Sequence, residues 1–134
     1  MSADTPLRVV IADDDAFARR VTKHALQAAG MTVVAEAADG REAVELGLRH
    51  RPDVVVIDVV MPRLDGILAT RRILEANPGQ PVVVLTGAGE NELGLEALRA
   101  GAVDVVAKHA DIDVLARALE AARREDAASS RAAR

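Results

Sequence analysis

Residues 52–66 read Pro-Asp-Val-Val-Val-Ile-Asp-Val-Val-Met-Pro-Arg-Leu-Asp-Gly, and this stretch decides the fold. Residues 54–57 are all apolar, and Asp58 follows them directly. A strand that is apolar at every position is covered on both faces, as in a parallel sheet with helices on either side. The stretch therefore predicts a buried central strand that carries a carboxylate at its carboxyl end.

Three other apolar runs of the chain also end in polar residues. They are residues 9–12, followed by Asp13-Asp14-Asp15, residues 82–85, followed by Thr86, and residues 103–107, followed by Lys108. Helical patterns bounded by Gly, Pro or Asp separate the runs, which is typical of repeated strand–helix units. The chain is therefore predicted to have an α/β fold, a doubly wound five-stranded parallel sheet in the strand order 2-1-3-4-5.

The predicted elements cover most of the 134 residues. The strands are residues 7–12, 32–37, 54–57, 82–85 and 103–107, and the helices are residues 16–29, 41–50, 64–76, 90–100 and 112–124. A chain of this length suits one domain with one core, which we place at residues 1–125. Residues 126–134 have no apolar periodicity beyond alanine and are expected to form a disordered tail or the start of a linker.

The composition excludes several classes of function. The net charge is −4 without a dense Lys/Arg cluster, so this segment is not expected to bind nucleic acid, where phosphate neutralisation dominates affinity. The chain has no cysteine, which excludes disulfides and thiolate metal sites. No apolar run approaches the roughly 18 residues of a membrane span, and no signal peptide is visible. A cytoplasmic location is therefore expected.

Acidic residues follow two strands that the predicted order makes neighbours. Ligands of an open parallel sheet bind beyond the carboxyl ends of its strands, so Asp13, Asp14 and Asp58 are expected to converge there. Three close carboxylates repel one another, and a hard divalent cation relieves that repulsion. Mg²⁺ prefers one or two carboxylates together with waters and phosphate oxygens. The sequence therefore predicts a Mg²⁺ site at this edge.

Thr86 and Lys108 add a hydroxyl donor and a positive charge to the same edge. Asp58 is then left as the nucleophile toward a phosphoryl group, whose charge the metal and Lys108 would neutralise. Each residue alone has a plainer explanation, since an Asp after a strand is most often a turn former or a helix cap. Four polar residues of these types at strand ends together favour a site that forms an aspartyl phosphate.

Segments 9–15, 52–66, 82–87 and 98–108 resemble the receiver domain of two-component response regulators. The resemblance implies a flavodoxin-like fold, with Asp58 accepting a phosphoryl group from a sensor histidine kinase. The sequences of residues 34–40 and 97–102 are most similar to those of NarL/LuxR-type receivers, in which a DNA-binding domain usually follows. The resemblance thus implies control of transcription, through an effector domain absent here or a separate partner.

The resemblance also implies a role for each site residue. Asp14 and Asp58 look like direct Mg²⁺ ligands, with the Val60 carbonyl as a third and Asp13 acting through water. Lys108 and Thr86 resemble the basic residue at the phosphoryl group and the switch hydroxyl. Backbone N–H groups near Gly87 and Ala88 would also serve the phosphoryl group. The output surface would be the face formed by helix 4, strand 5 and helix 5, with a homodimer as one possible outcome of phosphorylation.

Two positions depart from the family pattern. Val105 stands where many receivers carry a Tyr or Phe that moves inward as the switch hydroxyl turns, so either the output face signals by a backbone shift alone or its switching is weak. His109 stands where Pro is common, often after a cis peptide bond. A cis bond before a residue other than proline costs about 2.5–4 kcal/mol, so we predict a trans bond between Lys108 and His109.

Three alternatives compete with a phosphorylated receiver. A degenerate receiver would serve only for protein interaction, but all five site positions are intact. A phosphatase of the haloacid dehalogenase type would use Asp13 as nucleophile with Asp15 two residues on, but Phe17 stands where that motif has Thr or Val and the chain leaves no room for a cap domain. Nucleotide binding lacks a glycine-rich motif after the first strand.

Overall fold

Five parallel strands form one sheet in the order β2-β1-β3-β4-β5, which confirms the predicted architecture. The computed structural model describes residues 5–132, and the side chains of residues 5–123. The strands are β1 Arg8–Ala12, β2 Thr32–Ala37, β3 Val54–Asp58, β4 Val82–Thr86 and β5 Asp104–Ala107. The helices are α1 Ala16–Ala28, α2 Gly40–His50, α3 Gly66–Ala76, α4 Asn91–Arg99 and α5 Ile112–Ala132.

The sheet separates two hydrophobic cores. Side chains alternate between the faces of a strand, so odd and even positions of one strand enter different cores. One core joins alternate strand residues to α1 and α5, and its members include Val9, Ile11, Val54, Val56, Leu26, Leu115 and Leu119. The other joins the remaining strand residues to α2, α3 and α4, and its members include Val10, Val55, Ile57, Val84, Ala43, Ile73 and Ala97.

Aspartates begin three of the helices on the site edge of the sheet. The side chains of Asp15, Asp39 and Asp65 accept hydrogen bonds from the first backbone N–H groups of α1, α2 and α3. Such caps satisfy donors that the helix leaves unpaired. Gly30, just after α1, has φ +90°, a left-handed conformation that favours glycine.

Two strands extend one residue further than the sequence pattern predicted. Asp58 and Thr86 are the last residues of β3 and β4 rather than the first residues of loops, because Asp58 pairs with Leu85 and Thr86 with Ala107. Both polar side chains are therefore held by the regular geometry of the sheet. The predicted trans bond before His109 is confirmed, because no peptide bond among the described residues is cis.

Helix α5 continues to Ala132, beyond its predicted end at residue 124. The assignment of residues 126–134 to a tail or linker stays a prediction, and residues 133–134 lie outside the described residues. Over the part of the chain that the structure describes, none of the helices has the length and hydropathy needed to cross a membrane.

Candidate functional site

The carboxyl ends of β1, β3 and β5 bring three charged side chains to one face of the sheet. Val54 and Val56 belong to the core shared with α1 and α5, so Asp58, at the next even position, projects to that same side. Odd positions of β1 and even positions of β5 place Asp13 and Lys108 there too. The strand alternation thus explains why these three residues meet.

Lys108 bridges the two buried carboxylates. Its Nζ lies 2.9 Å from Asp58 Oδ2 and 3.1 Å from Asp13 Oδ2. Both aspartate side chains are almost fully buried, whereas 26% of the lysine side chain is exposed. The lysine backbone is fixed as well, because its N–H donates to the Thr86 carbonyl at 2.7 Å. A charge-assisted pair held this way from both ends has little freedom to adopt other geometries.

Asp13 is held in place by three further hydrogen bonds. Its Oδ1 accepts from the N–H of Asp15 at 2.9 Å, and its own N–H donates to the Ala37 carbonyl at 3.0 Å. The Arg19 side chain donates to the Asp13 carbonyl at 2.6 Å. None of these bonds uses Oδ2 of Asp13, which contacts Lys108 and faces the centre of the site.

Asp14 completes a cluster of three carboxylates. One carboxylate oxygen from each of Asp13, Asp14 and Asp58 lies within 4.8 Å of the other two, while Asp14 itself is exposed. Asp15 takes no part, because its carboxylate accepts from Phe17 and Ala18 as the cap of α1. A set of hard oxygen donors open to water on one side fits Mg²⁺, which keeps several of its waters when bound.

Burial and neighbouring charges shift the pKa values of Asp58 and Lys108. Burial raises the pKa of Asp58 above its ordinary 3.8, Lys108 opposes that rise, and the nearby charge of Asp13 adds to it. Burial alone would lower the pKa of Lys108, but its hydrogen bonds to Asp58 and Asp13 prevail and raise it above 10.5. The lysine therefore stays charged at neutral pH. The buried carboxylate is not fully compensated by Lys108, so a further cation would be favourable.

Thr86 lies beside this cluster but on the opposite face of the sheet. Thr86 lies two residues after Val84 on β4, so both side chains are on the same face of the sheet, and Val84 belongs to the core that includes α4. Its Cγ2 lies 3.6 Å from the point that a Cβ on Gly94 would occupy, and Val105 Cγ1 lies 3.2 Å from the same point. Among the described hydrogen bonds, none joins the Thr86 hydroxyl to Asp58. The structure thus brings Thr86 to the site through its backbone and packs its methyl group against α4.

The loop after Thr86 is closed by Glu90, which was not among the predicted site residues. The Gly87 N–H donates to Glu90 Oε1 at 2.5 Å, and the Glu90 N–H donates to the Gly87 carbonyl at 3.3 Å. Gly89 has φ +79°, a left-handed conformation that favours glycine. The turn thereby places a carboxylate on one of the backbone donors predicted to serve a phosphoryl group. A Glu four residues after Thr86, ahead of α4, was the available signal.

The loop between β3 and α3 is packed against its neighbours without space for a methyl group. A Cβ on Gly66 would lie 2.9 Å from the Cα of Val59 and closer still to the Asp58 carbonyl. A Cβ on Gly40 would overlap the Leu64 backbone, with the Leu64 carbonyl carbon at 2.6 Å. These close approaches fix the loop that carries Val60, whose N–H lies 3.4 Å from Asp58 Oδ1.

An ion pair also holds the β3–α3 loop against the start of α2. Arg63 Nε lies 2.7 Å from Asp39 Oδ2, and Arg63 has φ +65°, which is unusual for a residue with a side chain. Asp39 also caps α2, so one carboxylate connects that helix to the loop beside the site. No periodic pattern predicts this pair, because its partners are far apart in the chain.

Exposed apolar side chains border the site on the side of α1 and α5. Phe17 is 74% exposed and Val21 52% exposed, and both line a cleft of about 350 Å³ whose wall includes Lys108. Ile112 and Leu115 of α5 form the opposite wall. A contiguous apolar surface next to charged groups is typical of a protein-binding region.

Comparison with known proteins places the chain among response regulators. The family model for the response regulator receiver domain matches residues 9–120. Over 110 residues the chain is 44% identical to protein-glutamate methylesterase/protein-glutamine glutaminase 5 of Myxococcus xanthus, covering 81% of this chain and 32% of that protein. Over 101 residues it is 40% identical to the chemotaxis protein CheY of Thermotoga maritima, covering 75% and 84%.

A solved structure gives the same result at the level of the fold. The LuxR-family response regulator from Aurantimonas sp. SI85-9A1 superposes with a TM-score of 0.85 at 33% identity, covering 90% of this chain and 87% of that one. Likeness to a LuxR-family protein therefore stands beside likeness to chemotaxis proteins of comparable identity. The predicted similarity to the NarL/LuxR type is confirmed only as membership of the wider family.

Proposed function

The chain belongs to the response regulator receiver domain family, and on that premise we propose that Asp58 accepts a phosphoryl group from a sensor histidine kinase in a Mg²⁺-dependent reaction. The observation that carries this proposal is the joint contact of Lys108 with Asp58 and Asp13, beside the exposed Asp14. A structural ion pair would need only one carboxylate. Three carboxylates and one lysine at strand ends suit a transferred phosphoryl group and its metal.

The transfer itself asks three things of the chain. An Asp58 carboxylate oxygen attacks phosphorus, the bond from phosphorus to the histidine nitrogen breaks, and the imidazole leaves with that electron pair. The Lys108 ammonium neutralises negative charge on the phosphoryl oxygens and remains protonated throughout. The sheet holds attacker and cation in place before the phosphoryl group arrives, which lowers the barrier because little reorganisation is needed.

Asp14, Asp58 and the Val60 carbonyl are the proposed direct metal ligands, with Asp13 acting through water. Mg²⁺ bound there supplies positive charge to the phosphoryl oxygens and screens the acidic residues from the incoming anion. The burial and fixed hydrogen bonds of Asp13 support its indirect role, since Lys108 already occupies its free oxygen. The exposure of Asp14 supports a direct one.

Incubation with acetyl phosphate tests the proposal without a kinase. The protein is expected to gain the mass of one phosphoryl group in the presence of Mg²⁺ and none in the presence of EDTA. Intact-protein mass spectrometry is the suitable readout, because the chain has no Trp or Tyr for a fluorescence assay. Equal masses with and without Mg²⁺ would leave an interaction-only receiver as the better explanation.

The apolar cleft beside Lys108 is proposed as the kinase docking surface. A phosphohistidine must come within bonding distance of Asp58, so the kinase has to cover the surface next to it. Phe17 and Val21 project from α1 into solvent there, at the wall of a cleft that reaches Lys108. Burial of large apolar side chains at the centre of an interface contributes most of its binding energy.

Phe17→Ser is expected to slow phosphotransfer from a sensor kinase about tenfold or more, because a hot-spot aromatic contributes on the order of 2 kcal/mol. The rate with acetyl phosphate should stay unchanged, since the Phe17 backbone N–H, which donates to Asp15, is retained in the variant and its side chain has no polar group. Leu95→Ser is the matched control, an exposed apolar residue on α4. Rates should be measured with a histidine kinase that phosphorylates the wild-type chain. Equal slowing with both donors would place the defect in the fold rather than in docking.

The output is proposed to run through α4, β5 and α5, and to control transcription through an effector domain or a separate partner. Val105 packs on Gly94 next to Thr86, so a movement of Thr86 reaches α4 through small side chains rather than through an aromatic ring. Phosphorylation would bias two arrangements of this face, and homodimerisation is one outcome. Beyond its own phosphorylation and dephosphorylation, no enzymatic turnover is proposed for this segment.

A further inference from the structure

Glu90 holds a backbone donor that was predicted to serve the phosphoryl group. Its carboxylate accepts a hydrogen bond from the Gly87 N–H, and a bond to a charged acceptor is stronger than one to a neutral group. Both carboxylate oxygens lie within 4 Å of the point that a Cβ on Gly87 would occupy, so the carboxylate sits directly over that residue. An anion is therefore already bound by the loop that follows Thr86.

The alternation of β4 directs this donor toward Asp58. The Leu85 carbonyl accepts from Val59 on the β3 side, and the Thr86 carbonyl accepts from Lys108 on the β5 side. In an extended strand the N–H and C=O of one residue point the same way, and successive residues alternate. Continued by one residue, the alternation turns the Gly87 N–H toward β3, which ends at Asp58.

The same glutamate is the residue at which α4 begins. Its side chain and its backbone both close the turn on Gly87, and its carbonyl accepts the first helical hydrogen bond, from Gly94. Glu90 makes no side-chain hydrogen bond to its own helix. Release of the carboxylate therefore loosens the turn that connects Thr86 to α4, without removing a cap from the helix.

We propose that the Glu90 carboxylate occupies, in the unphosphorylated protein, the Gly87 N–H that an oxygen of the phosphoryl group on Asp58 takes after transfer. The proposal rests on the proposed function, since it needs a phosphoryl group at Asp58. One N–H cannot serve two anions, so phosphorylation expels Glu90 into solvent. Glu90 thereby opposes phosphorylation, and its expulsion reports the modification to the start of α4.

Titration with beryllofluoride, which forms a phosphoryl mimic on a carboxylate, tests the proposal in the presence of Mg²⁺. Glu90→Gln is expected to bind beryllofluoride about three- to tenfold more tightly than wild type, because a neutral amide competes less well for the N–H than a carboxylate. Glu92→Gln is the matched control, since it removes the same charge from the exposed first turn of α4 without touching Gly87. Its affinity should stay within about twofold of wild type.

The carboxyl carbon of Glu90 gives a second readout, by nuclear magnetic resonance on wild-type protein. Addition of beryllofluoride should move its resonance toward that of the solvent-exposed Glu92. Equal affinities for Glu90→Gln and Glu92→Gln, or an unmoved Glu90 resonance in saturated protein, would overturn the displacement alone. Absence of beryllofluoride binding to wild type would instead defeat the proposed function, and the displacement with it.

Discussion

Asp58→Asn is expected to abolish the Mg²⁺-dependent gain of a phosphoryl group from acetyl phosphate. The amide is uncharged and a poor nucleophile, and it also removes one of the three carboxylates of the cluster. Asp13 is not expected to take over, because its Oδ1 accepts from the Asp15 N–H and its Oδ2 is paired with Lys108. The expected residual signal, by intact mass, is none.

Asp104→Asn is the matched control for this substitution. Asp104 is an exposed aspartate at the start of β5, at the other end of the sheet, and its Oδ1 accepts only from the N–H of Val105 among the described bonds. Its phosphorylation should equal that of wild type. A full phosphoryl gain in Asp58→Asn, mapped by peptide mass to another aspartate, would show that the acceptor had been misassigned.

Asp58→Asn should also stabilise the fold at neutral pH. Burial raises the pKa of Asp58 above 3.8, so the native state binds this proton more tightly than the unfolded chain does. Stability from this group is therefore present at low pH and is lost as pH rises from 3.8 through the raised native pKa. Asp58→Asn replaces the titrating carboxyl with an amide that does not titrate, so the variant does not lose this stability as pH rises. Urea midpoints should favour the variant most at neutral pH, and the difference should shrink as pH falls through this window.

Gly66→Ala is expected to destabilise the protein by about 1–3 kcal/mol or more, the cost of forcing extra atoms into a packed site. The added methyl would meet the Asp58 carbonyl and the Val59 Cα, which are backbone atoms of the strand end and cannot rotate away. To make room for the methyl group, the start of α3 would have to move away from the end of β3, and the loop that carries Val60 would move with it. Denaturant unfolding measures the loss, and Mg²⁺ affinity should fall with it.

Gly47→Ala is the control, because the same atom is added where space exists. Its Cβ would lie 3.5 Å from Ile73 and from Val55, an ordinary contact distance. Alanine is also the better helix former by about 0.5–1 kcal/mol, so this variant should be as stable as wild type or more so. Comparable losses in both variants would mean that the close approach at Gly66 is not what holds the loop.

Hydrophobic periodicity along the chain was enough to predict most of the fold and the central residues of the site. The uninterrupted apolar runs predicted the parallel sheet, and their order placed Asp13, Asp58 and Lys108 together, as the bonds of Lys108 show. Element ends were less predictable, because pairing with a neighbouring strand extends β3 to Asp58 and β4 to Thr86. A strand end depends on its neighbours in space, which a pattern along the chain does not contain.

The sequence could not give the contacts made by turns and distant pairs. The bond between Gly87 and Glu90 depends on the left-handed Gly89, and the pair between Arg63 and Asp39 depends on a left-handed Arg63. Neither backbone state follows from residue type alone at these positions. The face of the sheet on which Thr86 lies was not predicted, and its contact with Gly94 depends on the position of α4.

The placement of Asp58 and Thr86 on opposite faces of the sheet has an evolutionary consequence. If the proposed surfaces are the ones used, substitutions around Phe17 would alter the donor surface, while substitutions around Gly94 would alter the α4 part of the output face, which lies across the sheet from Phe17. On the proposed assignment, a change of partner at Phe17 would leave the packing of Gly94 against Val105 and Thr86 untouched. A duplicated copy of such a domain would then be expected to acquire a new sensor without losing this packing.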